Sequence, residues 1–480
     1  MSEHLAPESH TDISQQSRRE GPGGLASGML RGMETPRRAA VARGPRLLAA
    51  LLPLTIVALV ACTGESQTTA TGESATSSPS TSTSTGGISA GESTDVEMSD
   101  TTESASETTS ATSTSTTTTT TTTTTTGEVA SCGDSVATPA ELCLTQLEPL
   151  KLGGKPVDIA LIDLDRDEHV DLAIVDLTGD VILRYGRGDG TFDVPEELPK
   201  LVMPRGITAI AHDLSSPLTL AVADQGFNAL ALIRAKGPRT YAAPQSTTVG
   251  SKPRALARGD VDGDGDEDLV IANQGSDDLT LALLELDMPP VLATHPVGEE
   301  PYDVALADLD GDGDLDIAAA NRLSGTISVL AGDGLGGFSP AIEHKARPDI
   351  RNLAIADLND DGLLDIVGTS YEDQKLTILR GASDELTFTD HYLPIGAKLY
   401  GAATGDLDFD GAPDLVAVDL DASEVVLIRG LNEAIPSVDR LPTAGGPLDL
   451  ALGDLNEDGY LDIAVVGTFS GSIALHLVDP

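Results

Sequence analysis

The sequence predicts an all-β fold, a seven-bladed β-propeller of four-stranded blades preceded by a disordered stalk, and three observations predict it. One unit recurs seven times in the C-terminal region, with first loop aspartates Asp163, Asp213, Asp260, Asp308, Asp357, Asp406 and Asp454. Each unit sets an aspartate-rich loop between two apolar strands. Between loops the chain offers two further strands, such as GTISVLAG and FSPAIEHK after the fourth loop, and four strands per unit make a propeller blade.

Composition narrows the function. The 480 residues carry 29 Lys and Arg against 76 Asp and Glu, a formal charge of -47, so nucleic acid and anionic surfaces are repelled and no nucleic-acid partner is expected. The chain has no Trp and 3% aromatic residues, which argues against the stacking platforms on which propellers hold sugars or quinones. Much of the acidity sits at fixed spacing inside one repeated loop, a pattern that favours bound cations over a solvated tail.

Residues 1–61 read as a signal peptide. Arg37, Arg38, Arg43 and Arg46 precede the apolar run Leu47 to Val60, interrupted by Pro53 and shorter than the roughly 20 residues that span a bilayer. The stretch before Met33 is long for such a segment, so translation is expected to start at Met33 or Met29. The run closes on Leu59-Val60-Ala61-Cys62, which resembles the lipobox of bacterial lipoproteins. That resemblance implies acylation of Cys62 and anchorage in a membrane, each buried methylene contributing about 0.8 kcal/mol. Thr63 rather than Asp follows the cysteine, which favours export to the outer membrane or cell surface.

Residues 62–131 form the expected stalk. They are almost entirely Ser, Thr, Gly, Ala and acidic residues, ending in a threonine run from Thr116 to Thr126, and cannot bury a core. As a flexible coil the stalk would span roughly 45 Å. The GxSxG match around Ser89 has no strand-to-helix turn to work on and reads as chance. Residues 132–143, CGDSVATPAELC, resemble a short disulfide-bonded repeat of secreted bacterial proteins, which implies a Cys132–Cys143 bond in an oxidising compartment.

Residues 144–480 hold the repeats, including LARGDVDGDGDEDLVIA, ALADLDGDGDLDIAAA, AIADLNDDGLLDIVGT and ALGDLNEDGYLDIAVV. After the seventh loop only IAVVGTF and SIALHLV remain before Pro480, so Leu144–Leu152 is expected to supply the last blade's outer strand and close the ring, leaving no exposed edge. With their flanking strands and the GDGTF and GGFSP turns, these repeats resemble the FG-GAP and VCBS repeat families, whose relatives include the propeller of integrin α chains. The resemblance implies a propeller with cations in its loops.

Calcium takes six to eight hard oxygens, and DxDxDGxxD places carboxylates at alternate positions with a glycine at the turn. The expected ligand sets are Asp260, Asp262, Asp264 and Asp268; Asp308, Asp310, Asp312 and Asp316; Asp357, Asn359, Asp361 and Asp365; Asp406, Asp408, Asp410 and Asp414; and Asp454, Asn456, Asp458 and Asp462. A sixth set, Asp163, Asp165, Asp167 and Asp171, has Glu168 where the turn glycine belongs and is expected to be strained yet occupied. The second loop, DLSSPLTL from Asp213, reads as one residue short, with Ser215 and Thr219 in ligand places and no metal. About five or six structural calcium ions are therefore expected. An EF-hand is excluded because position twelve is Ile271, Ala319 or Gly368 and the flanks alternate like strands. Unpaired, such close carboxylates would repel one another.

Weaker motifs fall into hairpin turns: Arg187-Gly188-Asp189 inside YGRGDGTF, and the GxGxxG match at Gly332–Gly337, which no helix follows. Histidines 169, 212, 295, 344, 391 and 476 read as solvated or turn residues without triad or ligand spacing. The resulting expectation is a surface-anchored, calcium-binding propeller that binds an extracellular protein or polysaccharide and is no enzyme. The rivals are an extracellular lyase or hydrolase with an Asp or His cluster in the central channel, and a purely structural envelope protein.

Overall fold

The structure, a computed structural model, describes residues 142–211, 218–285, 288–382, 386–433 and 436–479. The expected signal peptide, Cys62, the stalk with Ser89, and Cys132 lie outside the described residues, as do residues 212–217 of the second loop.

Seven antiparallel sheets make up the described residues. Their innermost strands are Pro156–Ile162, Pro204–Ile210, Pro253–Gly259, Pro301–Ala307, Ile350–Ala356, Leu399–Gly405 and Pro447–Gly453. Each is followed by an eight-residue loop and a six-residue second strand, which starts at Asp171, Thr219, Asp268, Asp316, Asp365, Asp414 or Asp462. Every residue of all seven second strands is buried. A neighbouring blade covers each face of such a strand, and this explains why they read as nearly continuous apolar runs such as DLVIAN and DLVAVD. The core is accordingly divided into seven apolar clusters, one between each pair of successive blades.

The ring closes as expected. In blade 7 the strand Ser472–Asp479 pairs with Cys143–Gln146, in the register Cys143↔Asp479 to Gln146↔His476, and also with Leu150–Lys151. Leu147, Leu150 and Leu152 pack into the cluster that joins blade 7 to blade 1. In blade 2 the outer position is split, because Ala229–Gly237 pairs with both Thr240–Tyr241 and Gln245–Thr248.

Two sequence expectations need correction. The second loop is not short: the strands on either side put Ala211 at its first position and Thr219 at its ninth, so its length equals the others and Asp213 falls at the third position. Asp213, the first aspartate of this repeat, stands two residues after the loop's true start. The histidines are also not all solvated, since His476 is 2% exposed on the last strand, where its Nε2 meets the Thr443 hydroxyl at 3.0 Å.

Candidate metal loops and central channel

The aspartate loops leave the C-terminal ends of the innermost strands, so all lie at one end of the ring. Their backbone follows one pattern, set by their own carboxylates. The first-position carboxylate accepts the amide of the sixth residue, from Gly265 to Asp260 at 3.1 Å and from Gly313 to Asp308 at 3.0 Å, and likewise at Asp163, Asp357, Asp406 and Asp454. The ninth-position carboxylate heads the second strand and accepts the amide of the loop's second residue, for example Leu309 to Asp316 at 2.9 Å. Its other oxygen takes an amide from beyond the third strand, as from Gly332 to Asp316 at 2.9 Å.

The sixth residue has φ of +97° at Gly265, +94° at Gly313, +83° at Gly362, +88° at Gly411 and +92° at Gly459. Glu168 takes φ +75° at the same place, a left-handed conformation costing a side-chain-bearing residue roughly 1–2 kcal/mol. The expected strain in the first loop is thus present in its backbone.

The carboxylates converge only in part. Oxygens of Asp163, Asp165 and Asp171, of Asp260, Asp262 and Asp268, of Asp308, Asp310 and Asp316, and of Asp406, Asp408 and Asp414 lie within 4.8 Å of one another. Positions one, three and nine therefore meet. The fifth-position residues Asp167, Asp264, Asp312 and Asp410 stand outside these groups, and each accepts the amide two residues on. In the fifth and seventh loops Asn359 and Asn456 replace the third-position carboxylate beside Asp357, Asp361 and Asp365 and beside Asp454, Asp458 and Asp462. The residues suit a hard divalent cation, and Asp165 Oδ1 and Asp406 Oδ1 are buried without a hydrogen-bond partner. Burial pushes the ninth-position carboxyls up to about 6 at Asp171, Asp268, Asp316 and Asp462 and about 7 at Asp414, with neighbouring loop aspartates adding to the rise. A cation would reverse that penalty.

Arginines that the sequence did not flag reach three loops. Arg239 pairs with Asp165 and, at 3.5 Å, with Asp167; Arg380 reaches Asp365 at 2.5 Å and Arg429 reaches Asp408 at 3.2 Å. Among the described residues no such pair involves Asp260, Asp262, Asp264 or Asp268. The third loop therefore presents its four ligand aspartates without an arginine partner, Arg258 pairing with Glu267 at 3.3 Å instead.

The opposite end of the channel is different. Every innermost strand has a register irregularity after its first residue, which frees the second position from regular pairing. The second-position residues around the ring are Val157, Arg205, Arg254, Tyr302, Arg351, Tyr400 and Leu448, and all line a cavity of about 330 Å³. Third-position side chains stitch blade to blade by accepting the next strand's amide: Asp158 from Ile207 at 2.6 Å, Asp303 from Leu353 at 2.8 Å, Asn352 from Ala402 at 2.9 Å and Asp449 from Ile159 at 3.4 Å. Burial raises Asp158 and Asp303, and raises Asp449 well above the usual range with Asp158 beside it adding to the rise. Sequence reasoning missed this ring, although its members stand six and five residues before each loop's first position.

The RGD tripeptide is closed on itself. Arg187 pairs with Asp193 at 2.6 Å, and Asp189 accepts the Thr191 amide at 3.0 Å. Cys143 is buried at the start of the closing strand.

A search of curated proteins finds no match for the chain. Among solved structures it is similar to BBS1N, from a complex with ARL6DN, at 16% identity over 69% of this chain and 96% of that one, with a TM-score of 0.50. Streptogramin B lyase follows at 11% identity, 70% and 98% coverage and a TM-score of 0.49, and Kuenenia stuttgartiensis hydrazine synthase at 14%, 68% and 96%, and 0.49. At such identities a likeness speaks only to fold. The family model described as FG-GAP-like repeat matches residues 308–368, 357–417 and 406–465, three consecutive repeats that run from the fourth aspartate loop into the seventh blade. Three consecutive repeats of the chain match the FG-GAP-like repeat model, and its seven sheets form a β-propeller, consistent with that family.

Proposed function

We propose that this chain is an exported, calcium-stabilised propeller that serves as a binding module for an extracellular protein or polysaccharide, held at the cell surface through acyl chains on Cys62. One observation carries the calcium part: in four loops the carboxylates of positions one, three and nine converge within 4.8 Å. Oxygens at that spacing suit a calcium cage and repel one another without it. The third loop, whose ligand aspartates pair with no arginine among the described residues, is the best site; the first, strained at Glu168 and reached by Arg239, is the weakest.

The enzyme reading gains one observation, since Asp158, Asp303 and Asp449 line the central channel. Each accepts a backbone amide from the neighbouring blade, however, and that role needs no substrate. The binding reading is therefore retained. Its test is to record the melting temperature of the purified protein in calcium and in chelator, and to probe arrays of glycans and envelope proteins in both buffers. Calcium-raised stability with calcium-dependent capture supports the proposal, whereas an unchanged melting temperature sinks the metal assignment.

A further inference from the structure

We propose that the channel mouth opposite the aspartate loops binds a small oxyanion, a carboxylate or phosphate group on a hydroxylated molecule of about monosaccharide size, held between Arg205 and Arg254. The inference stands on the channel alone and does not depend on calcium in the loops.

The mouth concentrates groups that are scarce in the rest of the chain. Three of the seven tyrosines, Tyr302, Tyr371 and Tyr400, gather there with three arginines, in a protein of formal charge -47. Arg351 fixes the frame: its Nη1 donates to the Tyr302 and Tyr400 hydroxyls at 2.8 Å each, and its Nη2 donates to Asp349 at 2.8 Å. The two hydroxyls also meet each other. Arg351 Nε remains buried without a partner.

Arg254 sits over the Tyr302 ring, 3.4 Å from guanidinium carbon to ring centroid, a contact made by the guanidinium face and not by its N–H donors. Arg205 donates through Nε to Gln225 at 3.2 Å. Among the described residues neither guanidinium has a carboxylate within ion-pair reach, although 76 acidic residues were there to supply one. Two like charges turned into one cavity without an ion-paired acid repel each other, and burial and the Arg254 field depress Arg205, while Asp158 and Asp303 answer Arg254 only through its longer-range field. A bidentate oxyanion removes that penalty.

The nearby carboxylates do not serve instead. Asp158 and Asp303 are tied to backbone amides of the next blade, and Asp303 also accepts Asn352 Nδ2 at 2.9 Å. With Asp449 they form a polar floor one residue deeper, suited to ligand hydroxyls. A cavity of about 330 Å³ lies at the small end of ligand pockets and admits a sugar-sized ring but no polymer chain.

The experiment is titration calorimetry of the full chain with galacturonate, glucose 6-phosphate, inorganic phosphate and galactose, at low and at raised salt. At least one oxyanion should bind, more weakly as salt rises, while galactose does not; the carboxylate and phosphate arms identify the group. Arg205→Met and Arg254→Met should each weaken binding at least tenfold, and Arg187→Met on the surface should leave it unchanged. Arg254→Lys keeps the charge and loses the fork, so it should weaken binding while the melting temperature holds, separating recognition from folding. Failure of all three oxyanions to bind, or binding that survives both methionine substitutions, overturns the proposal.

Discussion

Asp316→Ala separates the structural role of a loop carboxylate from its metal role. Asp316 is 1% exposed and accepts the amides of Leu309 and Gly332, each at 2.9 Å. Removing it orphans two buried N–H groups at about 1–3 kcal/mol each, a loss of roughly 4 kcal/mol. Part is returned, because the buried carboxylate is itself strained: a carboxyl pushed up to about 6 stands against a usual 3.8. After discounting for screening, that offset is roughly 2 kcal/mol. In chelator at pH 7 the variant should therefore lose about 2 kcal/mol. With calcium at a hundred times its dissociation constant, the wild type gains about 2.7 kcal/mol at that site and the variant does not. The loss should then approach 5 kcal/mol by the same arithmetic. Urea unfolding in the two buffers is the assay. Equal losses in both would refute calcium at this loop, and no loss in chelator would refute the claim that the carboxylate ties loop to blade.

Three further outcomes are expected. His476 is buried and its pKa is pushed down to about 4, so the unfolded chain binds a proton that the folded one refuses; stability falls as pH drops from 6.5 towards 4. Between pH 8 and pH 5, wild type should lose about 2 kcal/mol more than His476→Gln, and parallel pH profiles would contradict this. At Gly206 an added methyl would stand 2.5 Å from the Arg254 carbonyl oxygen, so Gly206→Ala should cost about 2 kcal/mol by forcing two innermost strands apart, read as a lower urea midpoint. Deleting the chain before Pro156 removes the strand that pairs with Ser472–Asp479 and should lower the melting temperature and promote association through the freed edge, checked by light scattering.

The period of the repeat made the architecture legible, and the physical reason lies in the second strands. All are buried on both faces, and in every blade but the second the strand opens with a residue whose carboxylate is bonded into the blade, so strand and loop leave a joint signature every 48 or 49 residues. The loop aspartates were legible for the same reason, as was the strain at Glu168. The arginines entering the loops were not, because Arg239 comes from the hairpin of another blade and no local spacing reveals it. The channel mouth stayed hidden for a different reason. Its residues vary from blade to blade, Val157 to Arg205 to Tyr302, and a search for sameness discards the one position whose differences matter.

That contrast follows from the geometry of a single strand. Positions two and seven of an innermost strand are about 17 Å apart at 3.3 Å per residue, and seven-fold repetition turns those positions into two ends of one channel. At the far end six of the seven blades share one loop geometry, so their carboxylates recur and the field is negative. At the near end the blades meet around an axis where each side chain faces different neighbours, so no blade constrains the next and a cationic, aromatic cluster can be assembled from Arg205, Arg254, Tyr302, Arg351 and Tyr400. The two fields are separated by about two Debye lengths at physiological salt, roughly 8 Å each, and so act nearly independently through solvent. Binding at one end would therefore reach the other only through the stiffness of the strands between them.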